Sequence, residues 1–148
     1  MPMGHLKVNR CLADKAMDVI DHALDRPLDP HAETYRNYYA APAGLAAEFA
    51  RSPHWEVGSP MPGGLFPCVV TDDGRAALVD HLSAIGDRHR GYAISFGGHT
   101  TNIVGISASK ARYSYFLDIR DCCPDLTFKD FCQRSKIKRI DRATRDAK

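Results

Sequence analysis

The residues best suited to contact another molecule lie in two places. Tyr35-Arg36-Asn37-Tyr38-Tyr39 packs three aromatic side chains with an arginine and an asparagine into five positions. Tyrosine and arginine are the types that dominate binding hot spots, because they combine a large apolar area with directed hydrogen bonds. The same residues also suit a boundary between core and surface. The second place is the C-terminal stretch, where Lys129, Arg134, Lys136, Lys138, Arg139, Arg142, Arg145 and Lys148 stand against Asp130, Asp141 and Asp146. Such a run is either a solvated terminus or a basic arm for nucleic acid or an acidic protein surface. The candidate binding residues are therefore Tyr35, Arg36, Asn37, Tyr38 and Tyr39, with Lys136, Lys138, Arg139, Arg142 and Arg145.

Other reactive side chains read as structural. Asp72-Asp73 sits where a helix should begin, and carboxylates there meet the positive end of the helix dipole. His54, His81, His89 and His99 are scattered, and no His-x-x-x-His or Cys-x-x-Cys pair offers metal-ligand spacing. Adjacent Cys122 and Cys123 cannot easily aim both sulfurs at one ion. Gly97-Gly98 follows a strand pattern but lacks the GxGxxG and GxxxxGK[ST] phosphate loops, so it reads as a turn. No catalytic constellation, cofactor or metal is expected.

The elements that must position these residues fall into two groups. Leu12, Ala16, Ile20 and Leu24 repeat every four residues, giving an amphipathic helix with Asp14, Lys15, Asp18 and Asp21 on its wet faces. Arg26-Pro27 closes it. Asp29-Pro30 offers a cap and a first-turn proline for a short second helix through Tyr38. Ala43 to Arg51 reads as a third, stopped by Ser52-Pro53. Trp55-Glu56-Val57 and Leu65 to Val70 flank a Gly/Pro-rich tip and read as a hairpin, with Pro67 assigning the second strand to an edge or a bulge. Thr71 caps a further helix whose apolar stripe is Ala76, Leu78, Val79, Leu82 and Ile85, with Gly86 after its end.

Three helices, a hairpin and a closing helix resemble the winged-helix module over residues 10–86. Val70-Thr71-Asp72-Asp73-Gly74-Arg75-Ala76-Ala77-Leu78 is similar to the junction that follows the wing in bacterial and phage winged-helix proteins, where Thr-x-x-Gly-Arg-x-x-Leu sets a cap and a core leucine. Together with Tyr35 to Tyr39, it resembles small uncharacterised phage and prophage proteins. That resemblance implies no reaction.

After Asp87-Arg88-His89-Arg90, Tyr92 to Phe96 and Asn102 to Ile106 read as strands. Ser107 or Ser109 caps a helix through about Asp121, and Leu126 to Phe128 and Ile137 to Ile140 add a helical turn or an edge strand. The expected architecture is α+β: a winged-helix-like module over residues 1–88, then a small β-β-α module with a basic C-terminal tail over 89–148.

Length and charge set the outer limits. The 148 residues, 44% hydrophobic and 26% charged, suit one sizeable core or two small ones. No apolar run is long enough for a bilayer span. The first residues lack a secretory h-region, so a cytoplasmic location with reduced cysteines is expected. The net charge of +2 conceals a split. Residues 1–88 hold 8 Lys/Arg against 12 Asp/Glu, a net of −4, whereas residues 89–148 hold 12 against 6, a net of +6. From Ser52 to Gly74 there is neither lysine nor arginine, and the third helix offers Arg51 alone. A wing of that composition would repel a phosphate backbone.

Two functions fit. One is a non-enzymatic phage-type accessory protein that binds a host protein or nucleoprotein complex and inhibits defence or nucleic-acid machinery in the manner of anti-CRISPR proteins. The other is a DNA- or RNA-binding regulator that makes its contacts through the basic C-terminal stretch.

Overall fold

The computed structural model describes residues 6–140, a mixed α+β fold with two three-stranded antiparallel sheets. The first half runs α1 (Lys15–Ala23), β1 (Tyr39–Ala41), α2 (Ala43–Ala50), β2 (Trp55–Val57), β3 (Phe66–Val70) and α3 (Asp72–Ala84). Its sheet order is β1-β3-β2. The second half runs β4 (Arg90–Phe96), β5 (His99–Gly105), α4 (Ala108–Ile119), α5 (Phe128–Arg134) and β6 (Lys136–Ile140), with sheet order β5-β4-β6.

Capping fixes the helix starts. Asp14 accepts from Met17 N at 3.1 Å, Thr71 from Gly74 N at 3.1 Å, Ser107 from Lys110 N at 3.1 Å and Thr127 from Asp130 N at 3.1 Å. Each satisfies an amide that the first helical turn leaves without a partner. The stripe of α1 delivers Leu12, Ile20 and Leu24 to the first core, where they meet Leu78 and Leu82 of α3 and the inner face of the sheet. Trp55 and Phe49 stack there with ring centres 4.1 Å apart. Gly74 is needed at the α3–sheet contact, since a Cβ would stand 2.6 Å from both His54 O and Val70 Cγ1.

The predicted helix from Asp29 to Tyr38 does not form. Asp29 accepts from His31 N at 3.0 Å, a local turn that competes with helix, and Arg75 reaches across from α3 to the carbonyls of Pro30 and Ala32 at 2.8 and 3.2 Å. Those carbonyls would otherwise have served a helix. Pro67 lies in the central strand rather than at an edge. Gly58 N donates to Pro67 O at 2.8 Å, and β2 has ended one residue earlier, so the donor that proline lacks falls where the ladder stops. Ile85, assigned to the buried stripe of α3, is 55% exposed just beyond its end. Asp21, assigned to a wet face, is fully buried.

In the second half, Gly97 and Gly98 (φ +61° and +82°) form the two-residue turn between β4 and β5, a conformation in which any side chain would be strained. Tyr92 and Ile94 of β4 pack under Ala111 and Phe116 of α4 and Phe131 of α5. The segment after α5 is strand as well as helix: β6 pairs with β4 over five residues, from Gly91↔Ile140 to Ser95↔Lys136. A third cluster, Leu6, Val8 and Leu28 against Val104 and Ile140, seats the N-terminal segment on the end of the second sheet remote from the glycine turn.

Candidate nucleic-acid interface

The aromatic pentad does not act as one patch. Asn37 copies a strand, its Nδ2 donating to Val70 O at 2.9 Å and its Oδ1 accepting from Val70 N at 2.7 Å. Tyr39 opens β1 and packs its ring against His22, Phe49 and Trp55. Arg36 donates to His22 O and approaches Asp25 at 4.0 Å, which holds the loop to the end of α1. Tyr35 and Tyr38, 67% and 41% exposed, and Arg36, its side chain 42% exposed, present substantial surface. Tyr38 Oη lies 3.5 Å from Met61 Sδ in the β2–β3 loop. Three of the five positions are therefore occupied in building the fold, because asparagine and arginine satisfy backbone groups as readily as they bind ligands.

Most cations of the first half have internal partners. Arg10, its side chain 2% exposed, donates to Asp21 Oδ1 at 3.1 Å and to the carbonyls of Pro27 and Leu28, both at 2.8 Å, and lies 3.5 Å from Asp87. Arg26 reaches Asp18 at 2.9 Å and Asp21 at 3.2 Å. Lys7 pairs with Asp25 at 2.7 Å, closing one wall of a polar cavity of about 360 Å³. Burial pushes the Asp21 carboxyl up to about 6, against the opposing pull of Arg10 and Arg26. Asp18 and Asp25, nearer water and bonded to Arg26 and Lys7, are held below the ordinary carboxylate value. His89 Nδ1 lies 2.6 Å from Asp87, whose other oxygen faces Arg10. This histidine–carboxylate contact thus ends in a buried arginine and anchors the N-terminal segment. Lys15, Arg51 and Arg88 are the remaining first-half cations, one on each of three separate segments.

The second half treats its cations differently. Among the described residues, none of Lys110, Arg112, Arg120, Lys129, Arg134, Lys136, Lys138 and Arg139 forms an ion pair; every ion pair there lies between Lys7 and His89. Lys136 and Lys138 sit opposite Ser95 and Ala93, on the sheet face turned away from α4 and α5. Ser95 Oγ and Thr100 Oγ1 are 2.8 Å apart on that same face. Arg139 projects to the other side, opposite Tyr92, and remains exposed. Arg134 closes α5 with its guanidinium 5.3 Å from the centre of the Phe96 ring. At the glycine-turn end of the sheet, on the helix side, Phe96 and Arg134 line a cavity of about 310 Å³.

The predicted basic arm is thus in part a strand. Lys136, Lys138 and Arg139 belong to β6, fixed by pairing with β4, while Arg142 and Arg145 lie outside the described residues. Strand period places Lys136 and Lys138 side by side, two residues apart on one face. Ser95, Thr100 and Phe96 were not singled out in the sequence. The signal that could have found them was the Gly97-Gly98 turn, which fixes the β4–β5 register and so sets Ser95 against Thr100.

Among the described residues, no group of three His, Cys, Asp or Glu side chains is placed to hold a metal ion, and all five cysteines are free. No helix is long and apolar enough to cross a membrane. No family model, curated protein or solved structure matches the chain.

Proposed function

We propose that the chain is a non-enzymatic binding protein that holds nucleic-acid phosphates at the glycine-turn end of its second sheet. One observation carries this reading: among the described residues, Arg134, Lys136 and Lys138 follow one another along α5 and β6 with no carboxylate partner, and Arg139 lies on the opposite face of the same strand, whereas the first half ion-pairs Lys7, Arg10, Arg26 and Arg36. Lysines fixed along a strand meet successive phosphates without the ordering cost of a loose arm. Ser95 and Thr100 hydroxyls add uncharged phosphate donors beside them.

In this reading the first half is a winged-helix variant. Its strand order β1-β3-β2 and its β2–β3 hairpin suit that topology, with an extended segment in place of one helix. The hairpin lacks any cation, so this half serves as a scaffold rather than a duplex reader. A phage-type accessory protein acting on host nucleic-acid or defence machinery, in the cytoplasm, remains the proposed setting.

The test is binding of labelled single- and double-stranded oligonucleotides across a range of salt. Affinity should fall steeply with salt, and Lys136→Ala with Lys138→Ala should weaken it and flatten the log–log slope by about 1.4 for a single strand. Salt-independent affinity, or unchanged binding by the double variant, would overturn the proposal.

A second reading, a protein partner, is favoured by Tyr38, Met61 and Leu65. Tyr38 and Leu65 are exposed, and Met61 lies between them, touching Tyr38 Oη and donating its amide to Leu65 O at 2.7 Å. Substituting Tyr38 and Leu65 together should abolish capture of such a partner and leave oligonucleotide affinity unchanged.

A further inference from the structure

The edges of the two sheets are not protected alike. β1 and β2, which flank the first sheet, have three residues each, and β6 carries Lys136, Lys138 and Arg139 among its five. Shortness and lysine are common guards against strand-to-strand association. β5, His-Thr-Thr-Asn-Ile-Val-Gly, has neither: its seven residues include no Lys, Arg, Asp, Glu or Pro, and all seven pair with β4 without a bulge. The two-residue turn makes Phe96↔His99 a hydrogen-bonded pair, so the ladder uses the backbone groups of His99, Thr101, Ile103 and Gly105. Those of Thr100, Asn102 and Val104 point the other way. Among the described residues, no backbone bond reaches Thr100 or Val104 on that side.

α4 adds a second feature beside this edge. Ala111 lies against Gly105, where a Cβ would come within 3.0 Å of it, and Thr101 Oγ1 donates to Tyr115 Oη at 3.3 Å, so α4 runs back along β5 from its end toward its start. Tyr113 and Phe116 meet Phe128 of α5 on one flank. The row Lys110, Ser114 and Asp118, spaced by four and exposed, therefore takes the other flank, above the edge. Neither Lys110 nor Asp118 forms an ion pair among the described residues.

We infer that a second copy of this chain pairs antiparallel with β5, about a two-fold axis at Asn102. Thr100 of each copy then exchanges backbone bonds with Val104 of the other, and Thr101 stands beside Ile103, β-branched pairs that suit a sheet. The same axis sets the first half of α4 against the last half of its counterpart. Lys110 thereby meets the partner's Asp118, and Asp118 the partner's Lys110. This reciprocity fits the edge to its own copy, as an isologous contact requires. The product is one six-stranded sheet with the lysines of both β6 strands on the same side. The inference goes beyond the phosphate-binding reading and does not depend on it.

The experiment is sedimentation of the full chain over a concentration series, in which wild type should shift from one chain mass to two. Lys110→Asp and Asp118→Lys should each weaken dimerisation about tenfold, because each turns two exposed charge pairs repulsive, and the double variant should restore it. Both substitutions suit the helix dipole, so the fold is kept. Thr100→Pro removes an N–H that β4 does not use, and should abolish the dimer with an unchanged circular dichroism spectrum. A chain that stays monomeric throughout, or a dimer indifferent to Thr100→Pro and to both single reversals, would overturn the inference.

Discussion

Arg10 and Lys136 carry the same charge and meet opposite fates. Arg10 is enclosed by Asp21, Asp87 and two carbonyls, so its positive charge joins the N-terminal segment, α1 and the approach to β4. Lys136 lies on the outer face of a strand, with Ser95 opposite, and forms no ion pair among the described residues. The neighbourhood decides between them. Residues 1–88 are rich in aspartate and supply counter-charges, whereas residues 89–140 hold nine Lys/Arg and only four Asp/Glu. A charge neutralised inside the fold contributes to structure and is lost to binding. One left in water adds little stability but remains available to an anionic partner.

That contrast breaks most visibly if the two cations are removed in turn. Arg10→Ala strips Asp21 of one buried partner and leaves two carbonyls bare, so chemical denaturation at neutral pH should register a loss of about 3–5 kcal/mol. A loss below about 1 kcal/mol would place Arg10 among the weakly coupled surface cations. The next effect is pH-dependent. Asp21 has its carboxyl raised from 3.8 to about 6, so its favourable contribution is complete below 3.8 and disappears as pH rises through about 6. Asp18 and Asp25, shifted downward, work the other way: their contribution is present above 3.8 and is lost on acidification. Wild type should therefore lose stability relative to Asp21→Asn between 3.8 and about 6, and hold a constant difference above that window. A flat difference throughout would show that Asp21 does not titrate there.

Smaller effects refine the picture. Asn37→Ala unpairs both backbone groups of Val70 and should cost about 1–3 kcal/mol, which marks Asn37 as structural rather than ligand-binding. Gly74→Ala forces a methyl against His54 O and Val70, with a similar cost of about 1–3 kcal/mol from overpacking. Lys136→Ala and Lys138→Ala should move stability by less than about 0.5 kcal/mol, as surface substitutions do, while lowering nucleic-acid affinity. A large thermal shift in these lysine variants would instead assign β6 cations to the fold.

How far each site was legible depends on the range of the interactions. Thr71, Ser107 and Gly97-Gly98 act on neighbours within three residues, and the elements they start or turn appear where their chemistry requires. The missing helix after Asp29 was not legible, because Arg75, far along the chain, takes the carbonyls that a helix would use. Asp21 read as solvent-facing because aspartate rarely enters a core unless paired, and its pairing with Arg10 and Arg26 crosses two turns of chain. Tyr35 to Tyr39 are neighbours in sequence, but Asn37 bonds the backbone of β3 and Tyr39 packs in the core, while Tyr35, Arg36 and Tyr38 stay at the surface.

The sequence by itself determined the caps, the turns, the alternation of the strands and the division of charge between the halves, all of which follow from local backbone sterics and composition. Tertiary structure decided which cations are consumed. Ion pairing and burial depend on which segments meet, and only the folded chain brings Arg10 to Asp21 while leaving Lys136 and Lys138 exposed on the sheet face turned away from α4 and α5.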